Sequence, residues 1–454
     1  MIARSRLFLR KVSAVTTPQH IQLMSTVLNL GPYCNWTGQD WNVRFHGNVY
    51  KTPDLSNQTL DDLANKFLIN ASVQNLTQAQ QDQCRNVTSE IFVIQQGDVQ
   101  PIFRLEPTPT SGGAQVIQTV YFPVNTTAEG DYDMFLPING TGLVPGNGTD
   151  QVQQVPIYTN GSLLGNATAY LVPPTGLTFV SDIDDILRVT KIYEPAQGIF
   201  NTFANAFTPW MNMPQIYANW SQTLTHPAAH FHYLTTTPEQ ITRNYEAFIS
   251  SYYPPGSFDT RPLNFTNIPE TVSVREYLLV KIFETFPQRK FVLVADTSNS
   301  DVMRDYPKMA HMYPNQVACI FLRNTSATDP GDKFPYDTSG FAGLPQNQFM
   351  FFLTPDDLTG LDISNGQCYN SSIPQNVTFG YQGLPADLSG NGNVNLTQSS
   401  MSASSAAASS ASKSSSSAAA SASASAKSAG VQSAVISVGA WVTMAAVGVA
   451  LLLL

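Results

Sequence analysis

The sequence predicts an α/β fold, a parallel sheet with helices on both faces, preceded by a β-rich, sandwich-like domain. Three observations predict it. Four apolar, β-favouring runs, in Gly176–Val180, Phe231–Thr237, Phe291–Asp296 and Val317–Asn324, are separated by helical stretches, and a parallel strand return needs such a crossover. Three of those runs end in carboxylates or hydroxyls, at the edge where open α/β sheets bind ligands. Between Cys34 and Pro174, in contrast, short apolar runs (Ile91–Ile94, Gln115–Phe122, Ala167–Val172) alternate with Gly, Pro and Asn clusters, the pattern of a sandwich.

Taken in order, the chain divides into an N-terminal segment (1–30), the β-rich domain (31–172), the α/β domain (173–330), an extension (331–397), a Ser/Ala-rich stalk (398–430) and an apolar terminus (431–454). The first α/β strand delivers Asp182, Asp184 and Asp185 together. Like charges so close raise one another's pKa, which points to a bound cation or a shared proton; a helix cap through Asp185 or Ser181 is the structural alternative. Tyr193–Trp220 follows as helix and loop, with Phe200, Phe203, Phe207, Trp210, Tyr217 and Trp220 spaced for packing or for an apolar lid. His230 and His232 share one face of the next strand, but no acidic or thiol ligand completes a zinc set, and the strand's end in Thr235, Thr236 and Thr237 is the stronger signal.

Thr237 is placed to cap a helix starting at Pro238 with Ile241, Tyr245 and Phe248 on one face, which Pro254–Phe258 then breaks. A second helix, Val274–Phe286, turns Leu278, Ile282 and Phe283 inward and carries Arg275 and Lys281. The run Phe291–Ala295 ends in Asp296, with Asp301 five residues on.

Net charge is −9, and the 23 Lys and Arg form no cluster beyond the first eleven residues, so no nucleic-acid partner is expected. The four cysteines lack zinc-ligand spacing, and sequence proximity favours two disulfides, Cys34–Cys84 and Cys319–Cys368. Asn-X-Ser/Thr sequons stand at Asn35, Asn57, Asn70, Asn75, Asn86, Asn125, Asn139, Asn147, Asn160, Asn166, Asn219, Asn264, Asn324, Asn370, Asn376 and Asn395, and they favour an oxidising compartment. Residues 402–429 are almost wholly Ser and Ala and cannot build a core. Small residues at Ser428, Ala429 and Gly430 before the charge-free run Val431–Leu454 fit a GPI-attachment signal, expected on the extracellular side; a tail anchor with a cytosolic enzyme is the alternative. Residues 1–30 begin basic and offer no apolar entry signal, which conflicts with secretion unless the true start lies upstream.

An Asp-x-Asp at a strand end, with a hydroxyl, a cation and two further carboxylates around it, resembles the haloacid dehalogenase superfamily of phosphohydrolases. More closely, Pro174–Thr190, Phe231–Pro238, Pro254–Phe258, Phe286–Asp301 and Ile320–Asn324 resemble the catalytic domain of the actin-patch-associated phosphatidate phosphatases. The resemblance implies a haloacid-dehalogenase-like sheet and a Mg²⁺-dependent hydrolysis of phosphatidate to diacylglycerol at a membrane surface. Carried over by position, Asp182 is the nucleophile, Asp184 the acid and base, Thr235 the phosphate-binding hydroxyl and Arg275 the basic group. Asp182, Asp184, Asp296 and Asp301 are the implied metal-site carboxylates. Three positions depart from the pattern: Ile186 replaces Thr, Arg275 replaces Lys, and Thr297–Asp301 replaces a stretch with Gly and Glu. Lys281 and Lys290 are alternative basic groups. Two further functions compatible with these departures are a surface glycoprotein that keeps the fold without turnover and a phosphatase for small soluble esters.

Overall fold

The computed structural model describes residues 26–29, 31–106, 117–140, 142–159, 166–261, 274–329, 331–332 and 337–375. The stalk and the apolar terminus lie outside them. Among the described residues no helix is long and apolar enough to cross a membrane.

The first half holds β1 (Thr26–Asn29), β2 (Tyr33–Trp36), β3 (Trp41–Lys51), helices α1 (Asn57–Ala64) and α2 (Gln78–Ile91), then β4 (Ile94–Gln95), β5 (Ile102–Leu105), β6 (Gln118–Tyr121), β7 (Asp131–Ile138), β8 (Gln153–Thr159) and β9 (Ala167–Leu171). These strands form one nine-stranded mixed sheet in place of the two sheets of a sandwich, with β2 and β9 its parallel pair. It closes on a single core containing Trp41, Phe45, Phe103, Val155 and Leu171. The helical pair was not legible as helix: α2 is rich in Gln and other polar residues, and it is stabilised by a capping box in which Thr77 and Gln80 satisfy each other's backbone N–H groups.

The second half continues with β10 (Leu177–Ser181), α3 (Pro195–Phe203), α4 (Met213–Thr223), β11 (His230–Pro238), α5 (Glu239–Thr242), α6 (Tyr245–Tyr252), β12 (Ser257–Arg261), α7 (Val274–Thr285), β13 (Lys290–Asp296), α8 (Ser300–Met312), β14 (Val317–Arg323), α9 (Thr325–Thr328) and β15 (Phe349–Phe352). Its sheet runs β12-β11-β10-β13-β14-β15, parallel throughout. Side chains alternate between faces, as the strand period requires. Phe179, Val292 and Val294 pack with α4 and α6, whereas Val180, Leu293 and Ala295 pack with α7 and α8. The expected four strands are present; β12 and β15 are additional. β12 is five residues that follow the Pro-Pro-Gly break, and β15 lies beyond residue 330, in the segment expected to be an extension. The helix expected from Pro238 is two pieces, α5 and α6, and Thr237 does not cap it.

Cys319 on β14 is bridged to Cys368, with Cα atoms 5.5 Å apart. The expected Cys34–Cys84 bridge is absent, and both thiols are free and buried. Cys34 belongs to the core of the curled sheet and Cys84 to a separate cluster between α1, α2 and α3, so nearness in sequence did not become nearness in space.

The two sheets meet at buried charge. Arg44 of β3 donates to Asp259 of β12 (2.6 Å), to Tyr33 (2.9 Å) and, through Nε and Nη2, to both oxygens of Asp133 on β7. Asp259 is also 2.9 Å from His232 Nε2. Burial alone would raise the Asp259 carboxyl, but Arg44 and His232 outweigh it and hold the group well below the usual carboxylate range. Its stabilising contribution is therefore present above the unfolded carboxylate pKa and is lost as pH falls. Replacing Arg44 with Met should strand Asp259 in the interior and lower the unfolding free energy by about 3–5 kcal/mol. Chemical denaturation measures this, and a loss under ~1 kcal/mol would mean the clamp adds nothing.

Candidate active site

β10 is the point where the strand order turns, β11 lying on one side and β13 on the other. Crevices at such points, outside the carboxyl ends of the strands, are where open α/β sheets bind ligands. Asp182, Asp184, Thr235, Thr236, Thr237, Arg275 and Asn299 line a cleft there, open to solvent.

Asp182 directly follows β10, and its N–H donates to the Val294 carbonyl, which ties it to the neighbouring strand. Its Oδ1 accepts from the Ile183 N–H at 2.8 Å, and its Oδ2 lies 3.0 Å from Arg275 Nη2. Burial raises the acid; Arg275 opposes this and Asp296 and Asp184 add to it, so Asp182 is pushed up to about 7. Arg275 is itself buried, and its Nε donates to Asp301 Oδ2 at 2.9 Å. Burial would lower its pKa, yet Asp182 and Asp301 raise it further, so the guanidinium stays charged.

Asp184 is held on both oxygens. Thr190 Oγ1 donates to Oδ1 at 2.6 Å, Tyr245 OH lies 3.0 Å from each oxygen, and Thr237 Oγ1 donates to Oδ2 at 3.3 Å. Behind it Arg188, fully buried, sits with Nε 3.7 Å from Oδ1 and stacks over the Phe207 ring. Thr190, Arg188 and Tyr245 were missed in the sequence. The first two fall in the acidic stretch itself, but nothing in their spacing showed that the chain doubles back there.

The third carboxylate has a structural task. Asp185 adopts a left-handed φ of 58° and accepts from the N–H groups of Thr190, Lys191 and Ile192, so it folds the loop after the motif. Burial and Asp296 push it up to about 6, against those donors.

Asp296 ends β13. Its Oδ1 accepts from the N–H and hydroxyl of Ser298, while its buried Oδ2 has no partner. Burial raises its pKa above the ordinary carboxylate value. Asp301 lies in the first turn of α8, bound by Arg275 and the Val302 N–H. Thr235 Oγ1 accepts from the Thr237 N–H. Lys281 pairs with Asp133 at the sheet junction, and Lys290 is exposed at the opposite end of β13, so neither alternative basic residue reaches Asp182.

Among the described residues no three His, Cys, Asp or Glu side chains gather into a ready-made metal cage. His230 is bound to Ser257 and His232 to Asp259. At the cleft, Asp296 Oδ2 is buried and accepts no hydrogen bond, and Asp182 Oδ2 is met only by the Arg275 guanidinium. A hard oxygen left without a partner fits a cation that keeps several waters.

Residues 177–324 match the family model of the phosphatidate phosphatase APP1 catalytic domain. The motif resemblance therefore holds over this segment. Two curated relatives align with it: phosphatidate phosphatase APP1 of Saccharomyces cerevisiae, 29% identical over 34% of this chain and 27% of its own length, and an uncharacterized protein of Schizosaccharomyces pombe, 25% identical over 33% and 25%. The chain thus spans about a quarter of these relatives. A solved siderophore-interacting protein of Acinetobacter baumannii aligns over 65% of this chain and 85% of its own at 7% identity, with a TM-score of 0.15, too low to argue from.

Because the folded pKa of Asp182 lies above the unfolded one, its contribution to stability is full below the ordinary carboxylate value and is lost as pH rises through about 7. Against an Asp182→Asn variant of the full chain, the parent should lose up to ~4 kcal/mol between pH 4 and 8. Parallel stability profiles for the two proteins would contradict the raised value.

Proposed function

We propose that the chain is a Mg²⁺-dependent phosphohydrolase of haloacid-dehalogenase type that releases phosphate from phosphatidate. The observation that carries this is the pairing of Asp182, anchored between β10 and β13, with Asp184, fixed by three hydroxyls in the same cleft. An Asp182 oxygen attacks phosphorus, the ester P–O bond breaks, and Asp184 gives its proton to the departing alcohol. Water then attacks the aspartyl-phosphate, Asp184 takes the water's proton, and the acyl phosphate P–O bond breaks to free phosphate and restore the carboxylate. Thr235 binds a phosphate oxygen, and Arg275 offsets the repulsion between the phosphate and the nucleophile. Asp182 and Asp296 would hold the cation, with Asp301 joining only by leaving Arg275; when bound, the cation screens phosphate charge.

Asp182→Asn should reduce phosphate release by at least ~10³-fold with the fold retained, since the exchange keeps side-chain size. Assay of the purified protein on phosphatidate and on a generic phosphate ester, with and without Mg²⁺, decides among the functions. No turnover on either ester would favour the glycoprotein without catalysis, and turnover on the generic ester alone would favour a soluble substrate.

We further propose that the protein is a glycosylated, GPI-anchored surface protein. Asn57, Asn70, Asn75, Asn86, Asn125, Asn139, Asn147, Asn166 and Asn219 are exposed, which supports glycan attachment, whereas Asn324 is buried and accepts from the Ala327 N–H. Glycosidase treatment of the native protein should raise its mobility, and Asn324→Gln should leave the glycosylated mass unchanged. An unaltered mobility would sink both the glycans and the anchor.

A further inference from the structure

The cleft has a second, unlike side. Besides the carboxylates and hydroxyls, it is lined by Ile192, Ile199, Phe203 and Ile241. Ile199 and Phe203 lie on α3 and Ile241 on α5, and both helices are tied to an element from before the matched segment. Phe203 stacks on Phe67, just after α1, with ring centroids 4.8 Å apart. Ile199 and Phe203 share one apolar cluster with Cys84 and Val87 of α2, and Ile241 packs against it. Two polar ties reinforce this: Gln80 at the start of α2 donates to Asn205 beyond α3 (3.1 Å), and Arg243 after α5 donates to the Glu90 carbonyl near the end of α2.

A phosphate group needs only the polar side of such a cleft. Ile192 and Ile241 remain half-buried, and their hydrated apolar surface is released from water only when an apolar group covers it. We propose that Ile192 and Ile241, backed by the buried Ile199 and Phe203, select the apolar part of the ester's alcohol, and that α2 fixes their spacing by tying α3 to α5. The inference rests on the phosphatase reading above and adds which residues discriminate the leaving group. Selectivity is then a property of the whole chain, because the brace lies outside residues 177–324.

The test uses the full chain in an Asp182→Asn background, with affinities for dihexanoyl phosphatidate below its micellar concentration and for glycerol 3-phosphate measured by calorimetry. The diacyl ester should bind at least ~10-fold tighter, since about one methylene against an apolar wall already discriminates at that level. Ile192→Asn or Ile241→Asn should bring the ratio of affinities close to one. The milder Ile192→Val and Ile241→Val, which keep an apolar side chain and the fold, should lower it by ~3-fold each. Phe67→Ala, at the residue that stacks on Phe203, should lower it by ~3-fold or more. Equal affinities in the parent, or a ratio indifferent to the Ile192 and Ile241 variants, would overturn the proposal; a ratio indifferent to Phe67→Ala would overturn the brace. A preserved ratio in a chain whose unmutated form releases no phosphate would support the apolar wall while refuting hydrolysis.

Discussion

Four carboxylates, Asp182, Asp184, Asp185 and Asp296, are buried within the span of two adjacent strands, and the geometry around them is set by how that charge is offset. Each is treated differently. Arg275 reaches Asp182, hydroxyls with Arg188 behind them surround Asp184, three backbone N–H groups hold Asp185, and Asp296 has Ser298 on one oxygen only. The unequal treatment separates roles. Asp185 is fully satisfied and closes a loop, and Asp182 has Arg275 on Oδ2, whereas Asp296 keeps an oxygen without a partner, a state that costs free energy and persists where a site is built for something to arrive.

The parallel sheet was legible because its strands are continuous apolar runs bounded by helical patterns, and the cleft because three of those runs end in polar chemistry. β12 was not legible: Ser257–Arg261 contains Asp259 and Arg261, which lower its apparent hydrophobicity, yet both are buried, Asp259 through its ion pair with Arg44 of the first sheet. Tertiary context overrode local pattern in α2 as well, where Cys84 and Val87 face a cluster completed by α3, more than a hundred residues away in sequence. That Asp182 and Arg275 meet at one cleft was legible from motif order. The contacts of Thr190 and Tyr245 to Asp184 were not, since Thr190 depends on a loop whose path is set by the left-handed Asp185 and Tyr245 reaches in from α6.

The family match ends where a motif comparison must end, at residues 177 and 324, but the folded unit does not. Arg44 fills the buried charge balance of β12, and α2 supports two helices that line the cleft. β15, from beyond the match, completes the sheet edge against β14, and the Cys319–Cys368 bridge fastens the following segment to the same strand. The matched segment supplies the buried carboxylates, and the flanking segments hold helices and a strand around them.

The departures from the family pattern take on a different weight in three dimensions. Ile186 is fully buried and packs in the core beside Ile183 and Leu187, so its change from Thr belongs to packing. Arg275 and Asp301 are linked more tightly. A guanidinium can present Nη2 to Asp182 and Nε to Asp301 at once, and this two-sided contact uses the planar fork that a Lys ammonium lacks. The replacement of Lys by Arg and the rearranged acidic stretch Thr297–Asp301 therefore act as one coupled change: with Arg275 in place, an acidic partner at Asp301 absorbs the charge that Asp182 does not. The same coupling draws Asp301 toward Arg275, which leaves Asp296 as the carboxylate of this pair with an oxygen that accepts no hydrogen bond.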